Sequence, residues 1–450
     1  MEEKGKIRKN MSNIPKILKR YETICCSISQ LMLCALILLR LAMAYRTALF
    51  TDTRFFVETA NWVRQGICPY KPEVFLTKFG AAPIQAPSMS LLSMPLCFCS
   101  ITIQNYVFFF LGTLAYIAFA VLVFNYFGFN YKEYIKPRWR SFPVLFVLTL
   151  VCIASPFLGM LRAGQNSSLA AVCLFIALLY PVHDKISNII WLGLSAAFKY
   201  SLMTFQIPIL VLQRRLKMSI LAFLLFIAMC LSIGIWLDDF VTVFREYVGC
   251  VSKSTSHGGN SYGEGSFFFL SIGFFKHEIV NNLLRLFVCL AYIGVLLKIW
   301  KHGKAQGNKY FPMHLTSVDW GLFTIMTIFF SYHRIQDGVL FIPFIGVIVL
   351  ELYQQCIKHG FQYKITNAKF FVAMLILLFW TVPSSIVFSI GSKLGRAFPA
   401  GEKVFFYTTD QVGGFSNIFP IMSCMMFFMI VFLLWLEFSQ SGVEHNENAC

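Results

Sequence analysis

Four short stretches of this sequence set ionisable or amide side chains beside long apolar runs. Asp52 and Arg54 follow the first such run, and Arg162, Gln165 and Asn166 close a later one. Lys199 interrupts another, in Leu194-Ser195-Ala196-Ala197-Phe198-Lys199-Tyr200. His333, Arg334 and Asp337 fall together in Ser331-Tyr332-His333-Arg334-Ile335-Gln336-Asp337-Gly338. A charged side chain at the centre of a membrane helix costs about 2.5–3.5 kcal/mol, so groups kept at membrane depth or at span mouths are functional candidates. An acid with several cations and amides suits the removal of a hydroxyl proton beside an anionic, lipid-linked substrate.

Each candidate has a structural alternative. Asp52 heads an amphipathic stretch, Thr53 to Gln65, with Phe56, Ala60, Val63 and Ile67 at helical spacing on one face. That helix is expected in the interface plane. Asp52 is then either a general base or the helix N-cap. Lys199 and Arg162 either meet a phosphate or snorkel from a helix end. Gln165 and Asn166 could satisfy span-end backbone, His333 could be a polar turn residue, and Asp337 could pair with Arg334. Glu58 and Glu73 could assist Asp52 or face water.

The elements that position these residues follow from composition. The chain of 450 residues is 57% hydrophobic, 17% aromatic and only 13% charged. A soluble domain carries about 25% charged residues. Runs such as Thr23 to Leu39, Tyr106 to Phe127 and Ile418 to Leu436 are nearly free of charge, and about 20 apolar residues cross the hydrocarbon. Strand-like alternation is absent, so the spans are helices. The expected fold class is all-α: a polytopic membrane protein with about twelve transmembrane helices and a re-entrant or interfacial segment.

The net charge of +17 does not indicate nucleic acid, because the basic residues cluster between apolar runs, where positive-inside topology places them. The 14 cysteines lie mostly inside apolar runs, where a thiol acts as a small hydrophobe. No pair has zinc spacing, so neither a metal site nor a disulfide framework is expected.

Charge also orders the loops. Residues 1–22 form a basic cytoplasmic N-terminus, 23–437 a single transmembrane domain, and 438–450 a cytoplasmic tail. The first extracytoplasmic loop covers 49–85. Ala86–Ile101 contains Pro87 and Pro95 and is short. Reading it as re-entrant or interfacial leaves Lys132, Lys136, Arg138 and Arg140 inside. Ser187 to Val211 is flanked by basic residues on both sides, which predicts a helical hairpin with Lys199 near its tip. On this topology all the candidate residues face the extracytoplasmic side of the plasma membrane.

At these residues the chain resembles glycosyltransferase family 87, the polyprenol-phosphate-sugar-dependent enzymes of the C superfamily that include phosphatidylinositol-mannoside mannosyltransferases. Asp52-Thr53-Arg54-Phe55-Phe56 leading to Gly66-Ile67-Cys68-Pro69-Tyr70 is similar to the family's aspartate, helix and Gly-x-x-Pro-Tyr pattern. Ala82-Pro83 to Pro95-Leu96, Gly164-Gln165-Asn166 and Gly193 to Lys199 resemble its following segments. Ser331 to Leu340 resembles its late turn. Gln165-Asn166 lacks the residue that separates them in the family, and Tyr200 stands where the family has proline.

The resemblance implies an inverting hexosyltransferase, mannosyl-like, with Asp52 as general base on the acceptor hydroxyl. Arg54, Tyr70, Arg162, Gln165, Asn166, Lys199, His333, Arg334 and Asp337 would bind substrate. The partners implied are a polyprenyl-phosphate-linked sugar donor, a lipid or glycan acceptor and the bilayer, with no further cofactor. The competing classes are a lipid-linked glycan polymerase or ligase, which should show a large late loop rich in Arg and His, and a transporter, which should show internal repeats.

Overall fold

The computed structural model describes residues 16–79, 85–127, 155–179, 186–213, 215–237, 239–261, 278–305, 317–330, 339–340 and 342–344. These are almost wholly helical, with no strand among the described residues. Among the described residues, three helical stretches are long and apolar enough to cross a membrane: Thr23–Arg46, Ile101–Tyr126 and Leu216–Leu237. They coincide with three of the expected spans. The sequence also predicts spans at about 142–161, 339–353, 370–390 and 418–437; most of the first two and all of the last two lie outside the described residues.

The first half runs α1 (Lys16–Arg46), α2 (Thr51–Arg64), α3 (Pro72–Phe79), α4 (Pro87–Ser93), a 3-10 turn (Met94–Phe98) and α5 (Ile101–Tyr126). Then come α6 (Ser155–Ala163), α7 (Ser167–Leu179), α8 (Ile186–Phe198) and α9 (Met203–Leu212). The described chain continues through α10 (Leu216–Ser232), α11 (Gly234–Leu237), α12 (Phe240–Ser261), α13 (Glu278–Ala305) and α14 (Ser317–Phe330).

Close helix packing rests on small residues, as expected where lipid removes the usual hydrophobic drive. Ala170, Ala171, Ala177, Ala196 and Ala197 are buried. A β-carbon on Gly193 of α8 would meet Leu225 Cδ2 of α10 at 2.6 Å. Further along, the Ala197 carbonyl accepts from Ser88 Oγ at 3.0 Å, and Ser88 also reaches Cys230. Contacts from 193 to 225 and from 197 towards 230 advance in the same direction, so α8 and α10 run parallel. The short α9 that links them must therefore run back the other way, so the chain reverses direction at Lys199.

The same reasoning orients the rest. Ser195 Oγ donates to the Ala170 carbonyl at 2.9 Å and Asn166 Nδ2 to the Phe198 carbonyl at 2.6 Å, so α7 and α8 are antiparallel. Ser168 meets Gly112 and Phe175 meets Phe119, so α5 and α7 are parallel. Tyr45 stacks on Tyr106 at 4.9 Å. The ends of α1, α6 and α8 and the starts of α5 and α7 thus share one end of the bundle.

Helix α4 and its 3-10 turn together reach about 20 Å at standard rises, short of the roughly 30 Å of hydrocarbon. The segment from Ala86 is too short to cross. Its serines explain its place: Ser88, Ser90 and Ser93 are buried, with Ser88 bonded to Ala197 and Ser90 to Thr59. It is wedged between α2 and α8.

Candidate active site

Helix α6 ends in a Schellman turn at the shared end of the bundle. Gly164 takes φ +69°, its N–H donates to the Leu161 carbonyl at 3.2 Å, and the Gln165 N–H donates to the Met160 carbonyl at 3.0 Å. This pairing satisfies the orphan carbonyls of a helix end. The carbonyls of Arg162 and Gly164 remain, and the segment before α2 takes them. The N–H groups of Leu49 and Phe50 donate to the Arg162 carbonyl at 3.1 and 2.9 Å. Thr53 Oγ1 donates to the Gly164 carbonyl at 3.1 Å.

Phe50 occupies the N-cap position of α2 with φ 49° and no side-chain cap bond. A bulky residue in that left-handed region costs about 1–3 kcal/mol. Its ring is held edge-on to Tyr45 at 5.7 Å and near Phe109 at 6.4 Å. The cap reading of Asp52 is therefore corrected: the N-cap is Phe50, and Asp52 lies in the first turn of α2. There the helix dipole favours a carboxylate. Asp52 is half-buried.

The expected apolar face of α2 is present at Phe56, Ala60 and Val63. Ile67 is not part of it. Gly66 takes φ +75°, its N–H reaches Val63 and that of Ile67 reaches Trp62. A second Schellman turn thus stops the helix, and Ile67 is exposed.

The other side of the site is the end of α8. No left-handed glycine terminates it; Lys199 is extended, at φ −153° and ψ 93°. Side chains from elsewhere cap the open carbonyls instead: Ser88 takes that of Ala197 and Asn166 that of Phe198. Asn166 Nδ2 also lies 3.1 Å from Met89 Sδ. Held in this way, half-buried Lys199 donates from Nζ to Ser167 Oγ at 3.1 Å, and Ser167 Oγ in turn donates to Gln165 Oε1 at 3.2 Å.

Of the residues singled out from sequence, Gln165, Asn166 and Lys199 meet at the α6–α7 turn, Arg162 borders it, and Asp52 adjoins Thr53, which bonds to it. Their roles differ. Asn166 is buried and fastens α7 to α8. Arg162 is exposed, with Nε bonded to Thr47 Oγ1 at 2.7 Å, tying α6 to the end of α1. Arg54 is exposed, one residue past the buried Thr53. Tyr70 is 1% exposed, packs edge-on to Tyr247 at 5.2 Å and donates from its hydroxyl to the Gln85 carbonyl at 3.3 Å. Burial holds its phenol well above the usual range. Glu58 is half-buried on α2, and Glu73 begins α3. His333, Arg334 and Asp337 lie outside the described residues.

Sequence reasoning missed Ser167 and Thr53. Ser167 opens an apolar helix and looks like ordinary N-terminal serine. Thr53 lies inside an amphipathic stretch. The turn itself had a signal: Ala163-Gly164 after an apolar run is a helix stop. Among the described residues, no three His, Cys, Asp or Glu side chains gather as a metal site.

The model of glycosyltransferase family 87 matches residues 86–318, more than half of the chain. The chain belongs to glycosyltransferase family 87. The matched region contains Arg162, Gln165, Asn166 and Lys199, while Asp52 precedes it. Placement in the C superfamily of glycosyltransferases fits the helical architecture with its membrane-length spans. No curated protein and no solved structure matches the chain.

Proposed function

We propose that this family 87 glycosyltransferase moves a hexosyl group, mannosyl-like, from a polyprenyl-phosphate donor to a lipid or glycan acceptor. The active site would face the extracytoplasmic side of the plasma membrane. The observation that supports this reading is the α6–α7 turn, which carries an acid from one side and a cation from the other. Asp52 is attached to it through Thr53 and Gly164, and Lys199 through Ser167.

The reaction is a single displacement. The acceptor hydroxyl oxygen bonds to the anomeric carbon as Asp52 takes its proton. The bond from that carbon to the phosphate oxygen breaks, its electron pair leaves with polyprenyl phosphate, and the anomeric configuration inverts. The leaving phosphate gains negative charge at that moment, and a cation already in place stabilises it without reorganisation. Lys199 is that cation in this reading, held by the Ser167 hydroxyl, which in turn donates to Gln165. Arg54 and Arg162 flank the approach, and His333, Arg334 and Asp337 would complete substrate binding.

Orientation follows from charge. Lys16, Lys19 and Arg20 begin α1, and that end is opposite the site. Positive-inside topology puts it in the cytoplasm, so the site faces out.

The test is transfer of radiolabelled sugar in membranes from a panel of polyprenyl-phosphate hexoses. The expected result is labelled product with release of polyprenyl phosphate and inverted anomeric configuration. Labelling from a nucleotide sugar in membranes free of lipid-linked sugar would contradict it.

A further inference from the structure

We infer that Thr53 and Gly164 are positioning residues that fix Asp52 over the α6–α7 turn: a hydroxyl on α2 and a bare α-carbon on the turn, 111 residues apart in sequence, interlock so that neither can shift. The inference rests on Asp52 being the general base.

Asp52 is bracketed on both sides. Before it, Leu49 and Phe50 both donate to the Arg162 carbonyl, and Arg162 Nε returns a bond to Thr47. After it, Thr53 is completely buried and donates to the Gly164 carbonyl. Residues 47–53 are thereby stitched to residues 162–164, and Asp52 is the one ionisable group in the stitched segment.

The glycine does more than end a helix. A Schellman turn needs positive φ, which asparagine also adopts. Here a β-carbon on residue 164 would lie 1.9 Å from Thr53 Oγ1, 3.0 Å from Thr53 Cβ and 3.2 Å from Phe50 Cδ1. Any side chain at 164 therefore pushes the start of α2 away from the turn. A displacement of the base by about 1 Å costs about a hundredfold in rate, because proton removal requires hydrogen-bond distance.

The experiment uses the full chain in detergent or liposomes, with the donor that wild type accepts. Thr53→Ser keeps the hydroxyl and should hold kcat within about twofold. Thr53→Val keeps shape but not the donor and should lower kcat about a hundredfold, with donor KM nearly unchanged. Wild-type kcat in Thr53→Val, or a loss that falls on KM alone, overturns the positioning role.

A second measurement needs no chemistry. Gly164→Ala should lower the melting temperature more in the Thr53 background than in the Thr53→Ala background, because the second removes the closest clash while the positive-φ strain cancels. Equal drops overturn the interlock. Activity retained by Asp52→Asn would instead overturn the base, so the two failures are distinguishable.

Discussion

Lys199 Nζ donates to Ser167 Oγ at 3.1 Å, joining the end of α8 to the start of α7. A lysine at a helix end ordinarily snorkels to the membrane surface. This one donates to a serine at the α6–α7 turn, which Thr53, next to Asp52, also joins, and in the proposed function its charge meets the leaving phosphate.

Replacing Lys199 by Met should therefore cost more than replacing Ser167 by Ala. A charge-assisted hydrogen bond contributes about 1.5–3 kcal/mol, and about 1.4 kcal/mol is tenfold in rate. Lys199→Met should lower kcat about a hundredfold and Ser167→Ala about tenfold, both with folding intact. Steady-state transfer kinetics with a polyprenyl-phosphate donor measure both. A Lys199→Met enzyme at wild-type rate would remove the lysine from the reaction.

Asn166 should behave as a structural residue. Its amide satisfies the Phe198 carbonyl at 2.6 Å in a buried setting. Asn166→Ala leaves that carbonyl unpaired, which costs about 1–3 kcal/mol. Asn166→Asp sets an acceptor against an acceptor and should be worse. Thermal unfolding in detergent should rank wild type above Asn166→Ala above Asn166→Asp. An Asn166→Asp protein as stable as wild type contradicts this.

Much of this arrangement was legible in the sequence, and the exceptions have a common cause. Charge-free length located α1, α5 and α10, because the hydrocarbon sets a minimum run. Basic flanks located the break at Lys199. The helical period of Phe56, Ala60 and Val63 located the buried face of α2, but the αL turn at Gly66 ends the helix before Ile67. Asp52 looked like a cap because Asp is a favoured N-cap residue, whereas tertiary bonds from Arg162 hold Phe50 in that position. Ser167 and Thr53 were not legible, since their partners are remote in the chain and their residue types are common at helix starts. Such pairs appear only when the helix order is known.

Asp239 offers a test of pH dependence outside the spans. Its carboxylate accepts from the Thr242 N–H at 2.9 Å at the head of α12. The bonds from Thr242 hold its pKa below the usual value. A depressed folded pKa means the stabilisation is present above the unfolded value of about 3.9 and is lost as pH falls through the folded one. Hydrogen exchange in the first turn of α12 should rise under acid in wild type. Asp239→Asn, which caps comparably, should not show that rise. Identical acid responses in the two proteins contradict the assignment.

The central claim is that Asp52 removes the acceptor proton, and Asp52→Asn tests it most directly. Asparagine keeps size and hydrogen bonding but cannot take a proton. Radiolabelled sugar transfer from a polyprenyl-phosphate donor should fall about a thousandfold, within the range that general-base catalysis contributes, with thermal stability unchanged. Transfer by Asp52→Asn within about threefold of wild type, below even the weakest such contribution, would contradict the account.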